Sequence, residues 1–252
     1  MRVLVLGGTF EASKLADLLA GQSGISSMMS FAGRTTALRA PKIPYRIGGF
    51  GGPDGLQAYL EAERIDVLVD ATHPFAEQIS RHAAIAAAGA NIPLIVLARP
   101  AWVAQPGDHW RDVADMPGAA TAIGREPRRV FLTIGRLQIG AFAAAPQHFY
   151  LIRTIEPLTL PPNLPHHCVI HGRGPFAIEA EEKLLREEAI DVLVTRNSGG
   201  EATFAKLRAA RHLGLPVVMV ARPQQASGPV WHDPAEVMAF LLRHRAALPR
   251  GV

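Results

Sequence analysis

The 252-residue sequence holds a single cysteine, Cys168, and this scarcity excludes an internal disulfide. Structural disulfides belong to oxidising compartments, so a chain without one is typical of a reducing compartment, and we expect a cytoplasmic protein. No apolar run approaches the ~18 residues that span a bilayer. The apolar run in MRVLVLGGTF is also too short for a secretory signal peptide, so no membrane partner is expected.

Lysine and aromatic residues are scarce as well. Among 26 basic residues only Lys14, Lys42, Lys183 and Lys206 are lysine, and the rest are arginine. The planar fork of arginine suits carboxylates and phosphates, although a GC-rich coding bias would explain the same excess. Aromatic residues make up only 6% and the basic residues are scattered, so no nucleic acid partner is expected despite a net charge of +4.

Short apolar runs alternate with helical patterns along almost the whole chain. Runs rich in Val, Ile and Leu, which are typical of buried parallel strands, lie at 2–7, 26–32, 66–71, 93–98, 129–135, 149–154, 168–171, 191–196 and 216–221. Segments with helical spacing lie at 11–21, 54–63, 75–89, 175–188, 201–213 and 234–246. This alternation predicts an α/β fold with mostly parallel sheets.

The second half of the sequence repeats landmarks of the first half in the same order. The pentapeptide IDVLV occurs at 65–69 and at 190–194. Three further pairs match: Val3-Leu4-Val5 with Val130-Phe131-Leu132, Ala98-Arg99-Pro100 with Ala221-Arg222-Pro223, and Trp110-Arg111-Asp112 with Trp231-His232-Asp233. We predict two Rossmann-like lobes, 1–124 and 125–252, that face an interdomain cleft. A helix after each Trp-Xaa-Asp segment could pack on either half, so an exchange of elements near the junction stays open.

Polar clusters follow both copies of the pentapeptide. Asp70–Pro74 comes after the first copy, and Thr195–Gly200 comes after the second. Ligand-binding loops of such folds lie at the carboxyl ends of the parallel strands. Both clusters are therefore expected at the cleft, and Pro74 is expected to open a helix, where its missing amide hydrogen costs nothing.

The turn after the first predicted strand has features of a dinucleotide site. Gly7 and Gly8 let the backbone approach a phosphate, and the amides at the start of the following helix, near Thr9, favour an anion. The three-glycine fingerprint is incomplete, because Phe10 stands where the pattern often has glycine. A tight strand–helix turn that binds nothing is the alternative.

The end of the second predicted strand bears on the choice between NAD and NADP. An acidic residue there selects NAD, whereas an arginine accommodates the 2′-phosphate of NADP. The segment AGRTT, 32–36, contains no acid, so we predict that Arg34 and Thr35 bind NADP, with a solvated surface arginine as the alternative. A third glycine-rich segment, 47–52, is expected at the same edge, which makes Gly49 a further candidate for cofactor binding.

Several separated motifs resemble one known family. LVLGGTFEA, AGRT, GGFGG, VDATHPFA, LARPAW, FLTIGR and TRNSGGEATFAKLRAARHLGLPVVMVARP are similar, in this order and over nearly the whole chain, to the precorrin-6A reductases of cobalamin (vitamin B12) biosynthesis. Members that act on the cobalt-containing analogue look similar. The resemblance implies an NADP-binding domain, a second domain that binds substrate, and NADPH-dependent reduction of one macrocycle double bond of precorrin-6A, which gives precorrin-6B (dihydroprecorrin-6A). The identity of this anionic tetrapyrrole rests on the resemblance alone.

In hydride transfer the protein mainly sets the distance and orientation of the reacting groups, but the reduced bond also takes up a proton. His73 is the candidate acid, because histidine titrates near neutral pH and this residue lies in the cluster Asp70–Pro74. A structural histidine at a helix start and a proton from solvent are the alternatives. Thr72, in the same cluster, is assigned to the cofactor.

A macrocycle with many carboxylates calls for forked cations. The candidates share a place at predicted strand ends or in the helix that follows: Arg136, Arg173, Arg196, Asn197, Ser198, Gly199, Thr203 and Lys206. Thr203 and Lys206 are about one helical turn apart and share a face. Arg99 and Arg222, each before a proline, are further candidates, and a structural arginine is the alternative for every one of these arginines.

No metal site is expected. His166, His167, Cys168 and His171 lie on a short strand whose alternation splits them across two faces, and no second cluster completes four ligands. Two lobes around a cleft also describe noncatalytic nucleotide or sugar sensors and nucleotide-sugar glycosyltransferases, so both stay as alternatives to the reductase. The sequence does not decide whether the chain dimerises, and a monomer is the working expectation.

Overall fold

The structure is a computed structural model that describes residues 1–33, 40–155, 157–158, 164–223 and 228–247. The chain divides into two compact units. Unit 1 contains Met1–Pro100 and the chain from Pro223 onward, and unit 2 contains Ala101–Arg222. Among the described residues, no helix has both the length and the apolar character that crossing a membrane requires.

Strands and helices alternate along the chain. The strands are β1 (Arg2–Leu6), β2 (Ser26–Phe31), β3 (Tyr45–Ile47), β4 (Val67–Asp70), β5 (Leu94–Leu97), β6 (His109–Val113), β7 (Arg129–Thr133), β8 (Phe149–Thr154), β9 (His167–His171), β10 (Val192–Arg196), β11 (Pro216–Val220) and β12 (Val230–Trp231). The helices are α1 (Phe10–Leu19), α2 (Pro53–Ala62), α3 (Glu77–Gly89), α4 (Met116–Ala122), α5 (Ile178–Glu187), α6 (Ala205–His212) and α7 (Pro234–Ala247). A 3-10 helix lies at Arg136–Ala144.

Each unit is built on a parallel sheet that has six strands within the described part of the chain. The strand order is β12-β5-β4-β1-β2-β3 in unit 1 and β6-β11-β10-β7-β8-β9 in unit 2. From β3 and from β9, respectively, both sheets follow the order 3-2-1-4-5-6 of dinucleotide-binding folds. The predicted α/β class with two parallel-sheet lobes is confirmed, and the cleft between them stays a prediction.

Alternation along β1 explains how unit 1 covers both faces of its sheet. Val3 and Val5 belong to an apolar cluster with residues of α1 and α7, whereas Leu4 and Leu6 cluster with residues of α2 and α3. The buried residues of α1 recur with the spacing of one helical face: Ala12, Leu15, Ala16 and Leu19. The central strand β1 is therefore buried on both sides, as its continuous apolar run predicts.

The two units exchange their sixth strand. β12 pairs with β5 in unit 1 although it follows β11 in the chain, and β6 pairs with β11 in unit 2 although it follows β5. The division predicted at 124/125 is therefore corrected, because the structural units change at 100/101 and at 222/223. Periodicity indicates that a segment is extended, but the sheet edge that accepts it depends on contacts far away in the sequence.

A forked ion pair fixes the segment that leads into β6. Arg211 on α6 donates from Nε to Asp108 Oδ1 at 2.8 Å and from Nη2 to Asp108 Oδ2 at 2.9 Å. Burial raises the pKa of the Asp108 carboxyl, but hydrogen bonds from Arg211 and from the Gln105 amide outweigh burial and hold this pKa below its ordinary value. This contact is one reason why the segment before β6 belongs to unit 2.

We expect Gly55→Ala to lower the free energy of unfolding by about 1–3 kcal/mol, the usual cost of overpacking. A Cβ at Gly55 would stand 1.8 Å from the Phe50 carbonyl oxygen, and backbone cannot rotate away as a side chain can. Chemical denaturation measures the loss. Gly140→Ala is the matched control, because no atom lies within 4 Å of its added Cβ. Equal midpoints for both variants would contradict the steric explanation.

Candidate active site

The turn after β1 in unit 1 is held by its neighbours on both sides. The Gly7 amide donates to the Ser30 carbonyl oxygen of β2 at 2.9 Å. Thr9 caps the start of α1, since its Oγ1 accepts from the Ala12 amide at 3.1 Å. The same Oγ1 donates to the Ala71 carbonyl oxygen after β4 at 2.8 Å. The predicted site residues Gly7 and Thr9 therefore belong to one connected strand-end network.

Gly8 gives this turn the properties of an anion site. Its φ is 133°, a conformation that residues with a Cβ rarely adopt, and nothing lies within 4 Å of an added Cβ. The backbone is therefore open to a ligand at the start of α1, where amides and the helix dipole favour a phosphate. Phe10, the departure from the usual pattern, is 63% exposed, and Lys14 Nζ lies 4.8 Å from the centre of its ring. These residues fit a nucleotide pyrophosphate.

Arg99 and Glu11 form a pair of opposite charges near the turn after β1. Arg99 follows β5, and its Nη1 lies 3.7 Å from Glu11 Oε2 in the first turn of α1. Burial lowers the pKa of the Arg99 guanidinium, and the nearby Glu11 carboxylate opposes this shift. Arg99 thus offsets a negative charge that would otherwise repel an anion from the helix start.

The cluster after β4 forms its own hydrogen-bond network. The buried carboxylate of Asp70 accepts at Oδ1 from the Thr72 amide at 3.0 Å and from Thr72 Oγ1 at 2.7 Å. Thr72 Oγ1 also lies 3.4 Å from Ser80 Oγ on α3. The predicted cofactor residue Thr72 therefore has its hydroxyl engaged with Asp70, and a direct contact of Thr72 with the cofactor stays a prediction.

His73 lies half-buried beside a cavity of about 170 Å³ whose lining also includes Asp70, Thr72, Ser80 and Arg81. The Phe75 amide donates to His73 Nδ1 at 3.2 Å. Because Nδ1 accepts, the neutral imidazole carries its proton on Nε2. The ring thus has a structural role just before α3, which begins at Glu77, and its role as an acid stays a prediction.

The adenosine-side residues are described only in part. Arg34 and Thr35, predicted to bind the 2′-phosphate, lie outside the described residues. The glycine-rich segment lies at the expected edge of the sheet, because the Gly48 amide donates to the Phe31 carbonyl oxygen at 2.9 Å. Gly49 accepts at its carbonyl oxygen from Arg46 Nη2 at 3.1 Å. Arg46, two residues before the first of these glycines, was not singled out from the sequence.

In unit 2 a guanidinium lies at the carboxyl ends of the neighbouring strands β7 and β10. Arg196, at the end of β10, donates from Nη1 to Gln138 Oε1 at 3.1 Å. The same nitrogen lies 3.1 Å from the point where a Cβ on Gly135 would stand. The chain then enters a 3-10 helix, which begins with the exposed residue Arg136. Where unit 1 offers backbone amides, unit 2 offers a forked cation, which suits a carboxylate.

Asn197 is engaged within unit 2. Its Oδ1 accepts from the Trp102 amide at 2.8 Å, and its Nδ2 donates to the Trp102 carbonyl oxygen at 2.9 Å. Arg222 donates to the carbonyl oxygens of Asn197 at 2.8 Å and Ser198 at 3.1 Å. Asn197 and Arg222 therefore fix the loop after β10, and direct contacts of Asn197 and Ser198 with substrate stay predictions.

The rest of this loop packs around Trp102. Gly199 and Gly200 have φ values of 69° and 77°, which favour glycine, and the Gly200 carbonyl oxygen accepts from Trp102 Nε1 at 2.9 Å. Lys206 is only 6% exposed, donates to the Thr203 carbonyl oxygen at 2.9 Å, and lies with Nζ 5.0 Å from the Trp102 ring centre. Lys206 thus supports the loop after β10 through contacts inside the protein. From the sequence we placed Lys206 and Thr203 on one helix face for substrate and did not predict this structural role.

Arg173 is exposed in the loop between β9 and α5. This loop lies close to the segment after Gly200, because a Cβ on Gly174 would stand 2.5 Å from the Ala202 carbonyl oxygen. The structure therefore brings the Arg173 loop and the loop after β10 together within unit 2. Among the described residues, no group of three or more His, Cys, Asp and Glu side chains is arranged to hold a metal ion.

Comparisons with known proteins agree with these features. The family model described as precorrin-6x reductase CbiJ/CobK matches residues 2–242. A precorrin-6A reductase of Sinorhizobium sp is 50% identical over 228 residues, which cover 90% of this chain and 87% of that protein. One from Rhodobacter capsulatus is 46% identical over 251 residues and covers 100% and 99% of the two chains.

A solved structure described as CobK precorrin-6A reductase superposes over the full length of both chains, with a TM-score of 0.90 and 45% sequence identity. It therefore shares the arrangement of two parallel-sheet α/β lobes described above. A nucleotide cofactor accords with a reductase of this kind and with the open turn at Gly8. The chain belongs to the precorrin-6x reductase family.

Proposed function

We propose that this protein uses NADPH to reduce one double bond of precorrin-6A, giving precorrin-6B in cobalamin biosynthesis. The observation that carries the proposal is the turn after β1. In a chain of this family, Gly8 leaves open backbone at the start of α1, within a sheet of dinucleotide-binding order. The names of the relatives support the choice of substrate.

The two units have separate tasks in this proposal. In unit 1, Gly7, Gly8 and Thr9 hold the pyrophosphate, and Arg34 with Thr35 holds the adenosine 2′-phosphate. When bound, NADPH supplies a hydride to one end of the macrocycle double bond. Because reduction adds hydride and proton across that bond, the other end takes up a proton. We assign it to His73 in its imidazolium form, since a neutral ring that gave up its Nε2 hydrogen would become an anion. Protonation of Nδ1 then replaces the hydrogen bond from the Phe75 amide, and solvent is the alternative donor.

Unit 2 holds the anionic tetrapyrrole. Arg136 and Arg173 are exposed near the ends of β7 and β9, and Arg196 is the last residue of β10. Guanidinium groups bind carboxylates with two parallel hydrogen bonds, so cations at strand ends can fix both the position and the rotation of the macrocycle. Asn197 and Arg222 contribute by fixing the loop that follows Arg196.

The test is consumption of NADPH with precorrin-6A, followed by absorbance of both the nicotinamide and the macrocycle. We expect a stoichiometric loss of NADPH with a change in the macrocycle spectrum, and mass spectrometry should show a gain of two hydrogens. Folded protein that binds NADPH without consuming it in the presence of precorrin-6A would favour a nucleotide sensor. Transfer of a sugar from a nucleotide sugar would favour the glycosyltransferase.

In the same assay, Arg34→Ala should raise the KM for NADPH about tenfold, since hydrogen bonds to a charged phosphate are worth about 1.5–3 kcal/mol. The KM for NADH should change less than twofold, because NADH lacks the 2′-phosphate. Arg64→Ala, at a surface turn before β4, serves as the matched arginine control. An equal loss for NADPH and NADH would count against a contact between Arg34 and the 2′-phosphate.

A further inference from the structure

The glycine-rich loop Gly48–Gly52 has little to hold its shape. Gly48, Gly51 and Gly52 have φ values of 129°, 81° and 111°, and an added Cβ on Gly51 or Gly52 would meet nothing within 4 Å. Glycine loses the most conformational freedom on ordering, and a loop of this composition has few side chains to repay that loss. Its order therefore depends on contacts made by its neighbours.

Arg46 on β3 supplies those contacts. Its Nη1 donates to the Gly48 carbonyl oxygen at 3.0 Å, and its Nη2 donates to the Gly49 carbonyl oxygen at 3.1 Å. The guanidinium carbon lies 4.1 Å from the ring centre of Phe50 and 5.3 Å from that of Tyr59 on α2. One planar cation thus binds the loop's backbone and stacks on the aromatic residue within it.

The same guanidinium reaches the neighbouring strand. Arg46 Nη1 donates to Ser30 Oγ at 2.8 Å, and the Ser30 carbonyl oxygen accepts from the Gly7 amide at 2.9 Å. A short chain of hydrogen bonds therefore runs from the phosphate-binding turn through Ser30 to the glycine-rich loop. In doubly wound sheets the adenosine ribose lies at the end of the second strand, between these two segments.

We infer that Arg46 is a positioning residue that orders the adenosine side of the nucleotide site. This inference rests on the proposed function. Arg46 fixes the backbone of Gly48 and Gly49 against β2, so that the loop is already shaped when the adenosine half of NADPH arrives. Preordering a loop strengthens binding by removing the cost of ordering it in the complex. A lysine keeps the charge but cannot bind three acceptors in one plane and stack on Phe50.

Fragments of the cofactor separate this role from a general loss of stability. Adenosine 2′,5′-bisphosphate represents the adenosine half, and nicotinamide mononucleotide represents the other half. We expect Arg46→Lys and Arg46→Gln each to weaken binding of the bisphosphate about tenfold, whereas affinity for the mononucleotide changes less than twofold. Turnover should show a raised KM for NADPH with kcat within twofold of the unmodified enzyme. Amide hydrogen exchange at residues 48–52 should accelerate in both variants.

Arg2→Lys and Arg2→Gln are the matched controls, because Arg2 lies at the opposite end of the same sheet and pairs with exposed Glu63 at 2.9 Å. Their fragment affinities should equal those of the unmodified protein. Normal bisphosphate affinity in Arg46→Lys would overturn the inference, because charge alone would then suffice. Equal weakening of both fragments would also overturn it. If the unmodified protein bound neither fragment nor NADPH, the proposed function itself would fail.

Discussion

Glu181→Gln is expected to lower the free energy of unfolding by about 3–5 kcal/mol, the usual cost of breaking a buried ion pair from one side. Glu181 is 1% exposed on α5 and accepts two hydrogen bonds from Arg153, from Nη1 to Oε2 at 2.9 Å and from Nη2 to Oε1 at 2.8 Å. A glutamine keeps one oxygen and turns an NH₂ group towards the guanidinium. The cation is then left in a poorly solvated place without its counter-charge.

Aromatic rings make this position hard to relax. The Arg153 guanidinium carbon lies 4.8 Å from the Phe131 ring centre and 4.2 Å from that of Phe176. Phe176 also packs beside Gly172, where an added Cβ would stand 3.2 Å from its ring. The ion pair therefore supports the loop that carries Arg173, and its loss should disorder that loop before the rest of unit 2.

Chemical denaturation of matched variants measures the effect. Glu187→Gln is the control, because Glu187 lies on the same helix, is 64% exposed in its side chain, and is 3.7 Å from Lys183. An exposed pair of this kind is worth about 0–1 kcal/mol, so its loss should hardly move the midpoint. The double variant Arg153→Met, Glu181→Met should be more stable than Glu181→Gln, because it buries no unpaired charge. Similar losses for Glu181→Gln and Glu187→Gln would contradict the structural explanation.

Arg196→Met should raise the KM for precorrin-6A by about 10- to 100-fold, because a charge-assisted hydrogen bond to a carboxylate is worth about 1.5–3 kcal/mol. The guanidinium lies at the carboxyl ends of β7 and β10, and it donates a hydrogen bond to Gln138. Methionine keeps much of the length and apolar bulk of the side chain without its donors. The KM for NADPH should stay within twofold, since its proposed site lies in unit 1.

Steady-state kinetics with each substrate varied in turn tests this expectation. Arg208→Met is the matched control: Arg208 is exposed on α6, and its Nη2 lies 3.5 Å from Glu201 Oε2. It should leave both KM values unchanged. An unchanged KM for precorrin-6A in Arg196→Met would remove Arg196 from the substrate site. A rise in the KM for NADPH alone would instead place the cofactor near unit 2.

Much of the fold could be predicted because buried parallel strands have a distinctive composition. β4 and β10 begin at the first valine of the two copies of IDVLV, and the apolar residues of each strand are buried. β6 and β12 were missed as strands because they are short and largely exposed edge segments without a clear alternation. The helix α4 was expected after Trp110-Arg111-Asp112 but without bounds, and the 3-10 helix Arg136–Ala144 was not predicted. Both are rich in alanine and glycine rather than marked by a clear apolar face.

The candidate site could be predicted where the backbone geometry determines it. It could be predicted less well where the partners of a side chain determine its role. The open backbone at Gly8 follows from glycine placed between a strand and a helix. Asn197 and Lys206 were assigned to substrate because of their position, yet the structure shows their polar atoms bound within the protein. Arg46 resembles any surface arginine in the sequence, since its three acceptors come from two separate segments.

The crossed edge strands affect how the chain is made. While a ribosome synthesises the protein, the first sheet lacks its outer strand until Val230–Trp231 has emerged, and α7 follows later still. The nascent chain therefore cannot complete unit 1 before nearly all of the polypeptide has been synthesised. Cutting the gene between the two copies of the repeat would leave each product with a strand whose partner is encoded on the other piece.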